Sequence, residues 1–344
     1  MGTLSLSDQY EDVRIWAPWG HIAGRWYGNR SERPILAIHG WLDNLGTFDR
    51  LLPLLPDYLG VLCIDLVGHG CSARLPRGMH YSADDWVLAI ARVMKEYKWP
   101  KVSLMGHSLG GVLSFIYTSL LPHKVDLVIS LDILLPPLDS AEGLSIMAYF
   151  MDKHLVEEER ADEVSMHEPP SYTLNQLRSV LSKGTNNSVP PEFAQHLLHR
   201  SVEKSELYPN KFYFTRDGRT KFYTLYPLNP GLAAEMARRI KDIPYLIIKG
   251  TDSPFLNSES AEAISILKSQ NPHFEYHEVR GAHHVHLTSP ELCAQYIVPF
   301  LRHYRPPSVA SWSLASEDAS LSTQEHRLAQ ESFFVRNQKR QNKL

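Results

Sequence analysis

Cysteine is scarce in this chain: Cys63, Cys71 and Cys293 are the only three among 344 residues. They form no CxxC pair and no even-numbered disulfide framework, which points to a reducing compartment. Long apolar runs are missing too. The best stretch, 125–138, is interrupted by Asp132 and by Pro136 and Pro137, so no transmembrane segment is expected. A basic surplus is also absent: 35 Lys and Arg against 38 Asp and Glu leave a net charge of -3, which argues against nucleic acid as a partner. The N-terminal MGTLSLSDQYED carries acidic residues and no apolar core, unlike a secretory signal peptide, and Leu6 occupies the position where myristoylation wants Ser or Thr. What remains is an ordinary globular composition, 43% hydrophobic and 21% charged.

Short apolar runs alternate with helical patterns from about residue 12 to 303. Residues 13–28 read as a hairpin turning near Gly20. The runs 34–40, 59–66, 101–106, 126–132 and 244–250 read as strands buried on both faces, and 274–279 as a further strand. Between them, residues 82–99 open on a Ser82–Asp85 capping box and place Val87, Ile90, Val93, Met94 and Tyr97 on one helical face. Residues 110–121 suit a buried helix. This alternation predicts an α/β protein with a mainly parallel, doubly covered sheet. About 110 residues then separate Asp132 from the strand starting at Pro244, where a βαβ unit needs only about 30. That surplus predicts helices at 172–183 and 192–203 and a hairpin at 211–222 turning on Asp217-Gly218. The expected organisation is an N-terminal tail (1–11), a core in two parts (12–135 and 241–304), an inserted, mostly helical cap (136–240) and a flexible polar tail (305–344).

GHSLGG at 106–111 fits G-x-S-x-G, and its context gives the motif weight: a buried strand precedes it and a helix follows. Ser108 is the candidate nucleophile, with the N-terminus of the helix beneath it. A serine hydroxyl needs a base. After the strand at 274–279 comes GAHHVH, in which His283 is first placed to turn back towards Ser108, while His284 and His286 are expected to pack or face solvent. No Cys, Asp or Glu accompanies these histidines at ligand spacing, so no metal is expected. Two acids are candidates to orient the base. Asp132 interrupts an apolar run, where an unpaired charge would be costly, while Asp252 lies in a polar turn; the first argument favours Asp132, with Asp252 the alternative. The backbone N–H groups of Trp41 and Leu109 are candidates for an oxyanion hole; Trp41 could equally be a core aromatic. Cys71, after GHG, reads as a small buried hydrophobe.

With these residues assembled, the chain resembles the α/β-hydrolase superfamily, and within it the animal serine hydrolase-like (kraken-type) proteins. The resemblance runs over about 12–303 and rests on PWGHIA (18–23), HGWLDN (39–44), DLVGHGCS (65–72), GHSLGG (106–111) and HHVHLTSP (283–290). It implies the α/β-hydrolase fold, Ser108 as nucleophile, His283 as base, and Trp41 with Leu109 as oxyanion donors. The commonest superfamily position for the acid holds Ser253 here. GTDSPF instead resembles the matching segment of small esterases that take their acid from the preceding strand, 24 positions beyond the nucleophile, which is Asp132.

The expected chemistry is therefore hydrolysis of an ester or thioester of a small apolar acyl substrate, through an acyl-serine and without a cofactor. Tyr149, Phe150 and Phe193 are candidates to wall its pocket or to form the cap's own core. A non-catalytic α/β-hydrolase binding a ligand or partner is the alternative. Localisation is expected to be cytoplasmic, or peroxisomal if Asn342, Lys343 and Leu344 act like a Ser-Lys-Leu address.

Overall fold

The computed structural model describes residues 10–135, 141–164, 168–224, 229–256 and 258–307. In chain order the elements are β1 (Tyr10–Ala17), β2 (Gly20–Gly28), β3 (Ile35–Ile38), β4 (Gly60–Ile64), α1 (Ala83–Glu96), β5 (Val102–His107), α2 (Leu109–Leu120) and β6 (Val125–Leu131). Then come α3 (Ala141–Val164), α4 (Leu174–Gly184), α5 (Gln195–Ser201), β7 (Val202–Lys204), β8 (Phe212–Phe214) and α6 (Pro230–Arg238). The chain returns through β9 (Tyr245–Gly250), α7 (Ser258–Gln270), β10 (Phe274–Val279), α8 (Val285–Thr288) and α9 (Pro290–Tyr304).

Eight strands form one sheet in the order β1-β2-β4-β3-β5-β6-β9-β10, with β2 antiparallel to both its neighbours, β1 and β4, and the remaining pairs parallel. β1 alternates, turning Val13, Ile15 and Ala17 inward, whereas β3, β4 and β5 are buried at every residue. Only a strand covered on both faces can carry such continuous apolar runs. One face packs under α1 and α2 through Trp86, Ile90, Leu113 and Phe115; the other packs under α9 and residues 45–54 through Phe48, Leu52, Ile297 and Phe300. α1 starts on the expected box: Ser82 Oγ accepts from Asp85 N and Asp85 Oδ2 accepts from Ser82 N.

The strand order reverses between β3 and β5. β4 lies on one side of β3, and the chain then crosses to lay β5 on the other. Crevices at such a reversal, outside the carboxyl ends of the strands, are where open α/β sheets hold ligands. His39-Gly40-Trp41 and His107-Ser108 end the two strands that flank this point.

Between β6 and β9 the structure departs from the sequence reading in several places. α4 coincides closely with the helix expected over 172–183 and begins on a capping box between Thr173 and Gln176. α5 is shorter than 192–203, because the chain extends into β7 at Val202. No hairpin turns on Asp217-Gly218; β8 pairs with β7 instead. Asp217 caps a 3₁₀ turn over Gly218–Phe222, accepting from Arg219 N and from the Arg219 guanidinium, and those bonds divert it from hairpin chemistry. The 24-residue helix α3 went unrecognised, since Leu144, Ile146, Tyr149, Met151 and Leu155 leave it an exposed apolar surface rather than one buried stripe. Cys71 is exposed, not buried.

Buried polar contacts tie this region to the sheet. Arg200 of α5 donates to Asp65 Oδ2 at 2.7 Å, and Asp65 also accepts from the Leu45 and Cys71 amides. Asn44 donates to Leu197 O, and the Trp41 indole to Thr220 O, each at 2.8 Å.

Candidate active site

The turn between β5 and α2 is held in a conformation few residues adopt. Ser108 has φ 51 and ψ -122, a strained geometry of the kind a nucleophile elbow imposes. The surrounding glycines make it possible: a Cβ on Gly106 would fall on the Gly110 carbonyl, and one on Gly110 on the carbonyl of Ile38. Gly110→Ala is therefore expected to lower stability by about 3 kcal/mol or more, seen as a drop in the denaturant midpoint, because backbone rather than a side chain would have to move. An unchanged midpoint would show that this packing is looser than described.

His283 sits between β10 and α8. Its Nδ1 lies 2.6 Å from Asp132 Oδ2, with the Asp132 side chain fully buried and that of His283 at 11% exposure. Asp132 follows β6, and its other oxygen accepts from Gly250 N at 2.7 Å. It adopts φ 61, the left-handed region that Asp tolerates better than most residues. With Nδ1 donating to a carboxylate, the lone pair of His283 is on Nε2. Asp252 is elsewhere: its side chain is exposed and accepts from Thr251 Oγ1, and only its backbone touches the histidine loop, at Gly281 O.

Gly40 lies against the serine turn, its missing Cβ only 3.0 Å from the Ser108 Cβ, so Trp41 follows on a segment pressed to that turn. Leu109 opens α2, where an amide has no intrahelical acceptor. His39 braces the Gly40 segment, accepting from Leu66 N through Nε2 and donating to Gly40 O through Nδ1. Trp41 is not a core aromatic; it is 42% exposed. Phe255, 39% exposed, lies 4.2 Å ring to ring from His283. Phe150 and Tyr149 pack on Phe222, while Phe193 packs on Leu197 and Leu287 under the Arg50 guanidinium. A separate open cavity of about 420 Å³, lined by Asn175, Arg178, Ser179, Pro191 and Glu192, shares none of these residues.

Sequence spacing missed a second group of residues. Of the two expectations for His284 and His286, packing holds: with His107 they are buried, their tilted rings centred 4.1–4.6 Å from that of His107. A carboxylate does accompany them, supplied by Asp43 from the far end of the chain and invisible to any local pattern. Burial holds His107 and His286 well below the usual imidazole range, pushes His284 down to about 3 and raises Asp43.

Burial likewise lowers His39 and His69. Their folded-state pKa lies below the unfolded value near 6.5, so below that pH the unfolded chain binds protons the folded one refuses. Stability is then full above about pH 6.5 and falls on acidification, by at most about 1.4 kcal/mol per pH unit for each histidine and only down to its folded-state pKa. Denaturant midpoints at pH 7.5, 6.0 and 5.0 should decline accordingly; a flat profile would mean these rings are protonated in the folded state.

Comparison with known proteins agrees with this architecture. A model of the alpha/beta hydrolase fold family matches residues 33–290. The chain is 33% identical to a probable serine hydrolase of Drosophila melanogaster, over 86% of this chain and 88% of that protein. It is 31% identical to the human serine hydrolase-like protein 2, over 85% and 94%. Among solved structures, a hypothetical protein of Pseudomonas aeruginosa PAO1 superposes with a TM-score of 0.69 at 26% identity, covering 86% of this chain and 99% of that one. The long parallel sheet, the strained serine turn and these relatives lead to one assignment: the chain belongs to the α/β-hydrolase fold family and is of the serine hydrolase-like type.

Proposed function

We propose that the protein hydrolyses an ester or thioester of a small apolar acyl substrate through an acyl-serine. The observations that carry this are the Asp132–His283 hydrogen bond at 2.6 Å, a serine strained at φ 51, and the 3.0 Å bond from His107, the residue before that serine, to the His283 carbonyl. His283 Nε2 takes the proton of Ser108 Oγ as that oxygen bonds to the substrate carbonyl carbon. The Trp41 and Leu109 N–H groups hold the resulting oxyanion. The alcohol or thiol leaves with the proton from His283, and water activated by the same imidazole then cleaves the acyl-serine. Asp132 keeps the proton on Nδ1 and stabilises the imidazolium. The part-exposed ring of Phe255 against His283, and the exposed ring of Trp41 next to Gly40, support an apolar substrate.

Fluorophosphonate labelling of the wild-type protein tests the reading. One adduct is expected, and tandem mass spectrometry should find it on the peptide carrying Ser108. No adduct, or an adduct on another residue, overturns it. A matched series of acyl esters, thioesters and amides then gives the leaving-group and chain-length preference.

A further inference from the structure

We propose that Asp43, His107 and His284 form a binding site for a divalent first-row transition-metal ion beneath the His283 loop. The three side chains are buried, and one ligand atom from each lies within 4.8 Å of the others. His107 Nδ1 and His284 Nε2 are each 3.8 Å from Asp43 Oδ2, too far for hydrogen bonds. That spacing is a few tenths of an ångström wider than the about 3.4 Å between neighbouring ligands of a tetrahedral zinc ion.

The proton positions make the group unusual. His107 Nε2 lies 3.0 Å from the His283 carbonyl oxygen, which can only accept, so Nε2 carries the hydrogen and Nδ1 presents a bare lone pair. Ser188 Oγ gives its proton to Thr185 O at 2.6 Å, so it accepts from His284 Nδ1 at 2.7 Å, which leaves the lone pair on His284 Nε2. Asp43 takes a backbone hydrogen bond from Asn44 N on Oδ1, and the Thr47 hydroxyl is a further side-chain partner of its carboxylate. Oδ2 is buried without a hydrogen-bond partner, as is His107 Nδ1.

Three electron-pair donors therefore converge with no proton between them. A water at the centre could donate to only two of them. A protonated Asp43 could donate to only one, across a 3.8 Å gap. A cation satisfies all three, and two imidazoles with a carboxylate suit zinc or iron(II). The second nitrogen of each histidine is already anchored, on the His283 carbonyl and on Ser188, as metal-bound imidazoles usually are. An ion here would brace the loop that carries His283, because one ligand binds the His283 carbonyl and another is the next residue.

The test uses the full chain without a polyhistidine tag, expressed in medium supplemented with zinc and iron and passed briefly through EDTA to strip surface metal. Elemental analysis should find about one equivalent of a transition metal per chain, falling below about 0.1 in folded Asp43→Asn and His284→Gln. Less than about 0.1 equivalents in wild type, or full retention in a folded variant, overturns the site. Should neither variant fold, wild type grown with cobalt(II) decides. Visible d–d absorption of tetrahedral or five-coordinate cobalt supports the site, and its absence overturns it.

Discussion

Asp132→Asn is expected to lower kcat for the preferred ester by about 10⁴-fold, while Asp252→Asn stays within about twofold of wild type. The size of the first effect follows from the partner on the other oxygen. Gly250 N–H donates to Asp132 Oδ1 and would hold the carbonyl end of an asparagine in the same place. The amide NH₂ would then face His283 Nδ1, itself a donor in the present arrangement. To relieve that clash the imidazole must move its proton to Nε2, which removes the lone pair that should receive the serine proton. Asp252 is exposed and bonded to its neighbour Thr251, so its loss leaves the imidazole unchanged. Steady-state kinetics on the two variants, with folding checked by circular dichroism, decides the matter. A large loss at Asp252 and none at Asp132 would reverse the assignment of the acid.

Which parts of this molecule could be read in advance depends on whether the signal was local. The parallel strands declared themselves because burial on both faces demands unbroken apolar runs such as ILAI and GVLCI, and α1 because Ser82 and Asp85 cap it within one turn. The serine turn was legible for the same reason: its glycines, strand and helix are contiguous. Asp132 could be singled out as a charge in an apolar run, but its burial against His283, 151 positions away, is a fact of sheet order. The Asp43–His107–His284 group had no local signal at all, since its members come from three separate strand ends. Asp217-Gly218 misled because the dipeptide suits a hairpin, yet the Asp217 carboxylate is committed to Arg219 and to the Tyr81 hydroxyl. α3 was missed because a helix with exposed leucine, isoleucine and methionine lacks the one-sided periodicity by which helices are recognised.

Ser108→Ala and His283→Ala should each reduce kcat by about 10⁶-fold, and the double variant should be no slower than either. The non-additivity is the informative part. If His283 acts only by taking the proton of Ser108, then a chain without the serine has nothing left for the histidine to do. If the Trp41 and Leu109 amides hold the oxyanion as proposed, all three variants should keep catalysis of about 10³-fold over water from those amides and from substrate binding. Losses that multiply in the double variant would mean that the two residues act independently. A companion measurement separates chemistry from folding. Ser108 is a non-glycine residue at φ 51, and such strain costs about 1–3 kcal/mol. Ser108→Gly removes the Cβ that makes this geometry unfavourable, so it should raise the denaturant midpoint while abolishing turnover. Ser108→Ala keeps the Cβ and should lose activity with little change in stability. A glycine variant no more stable than the alanine variant would mean that the turn stores no strain, and that the elbow is shaped by its glycine packing alone.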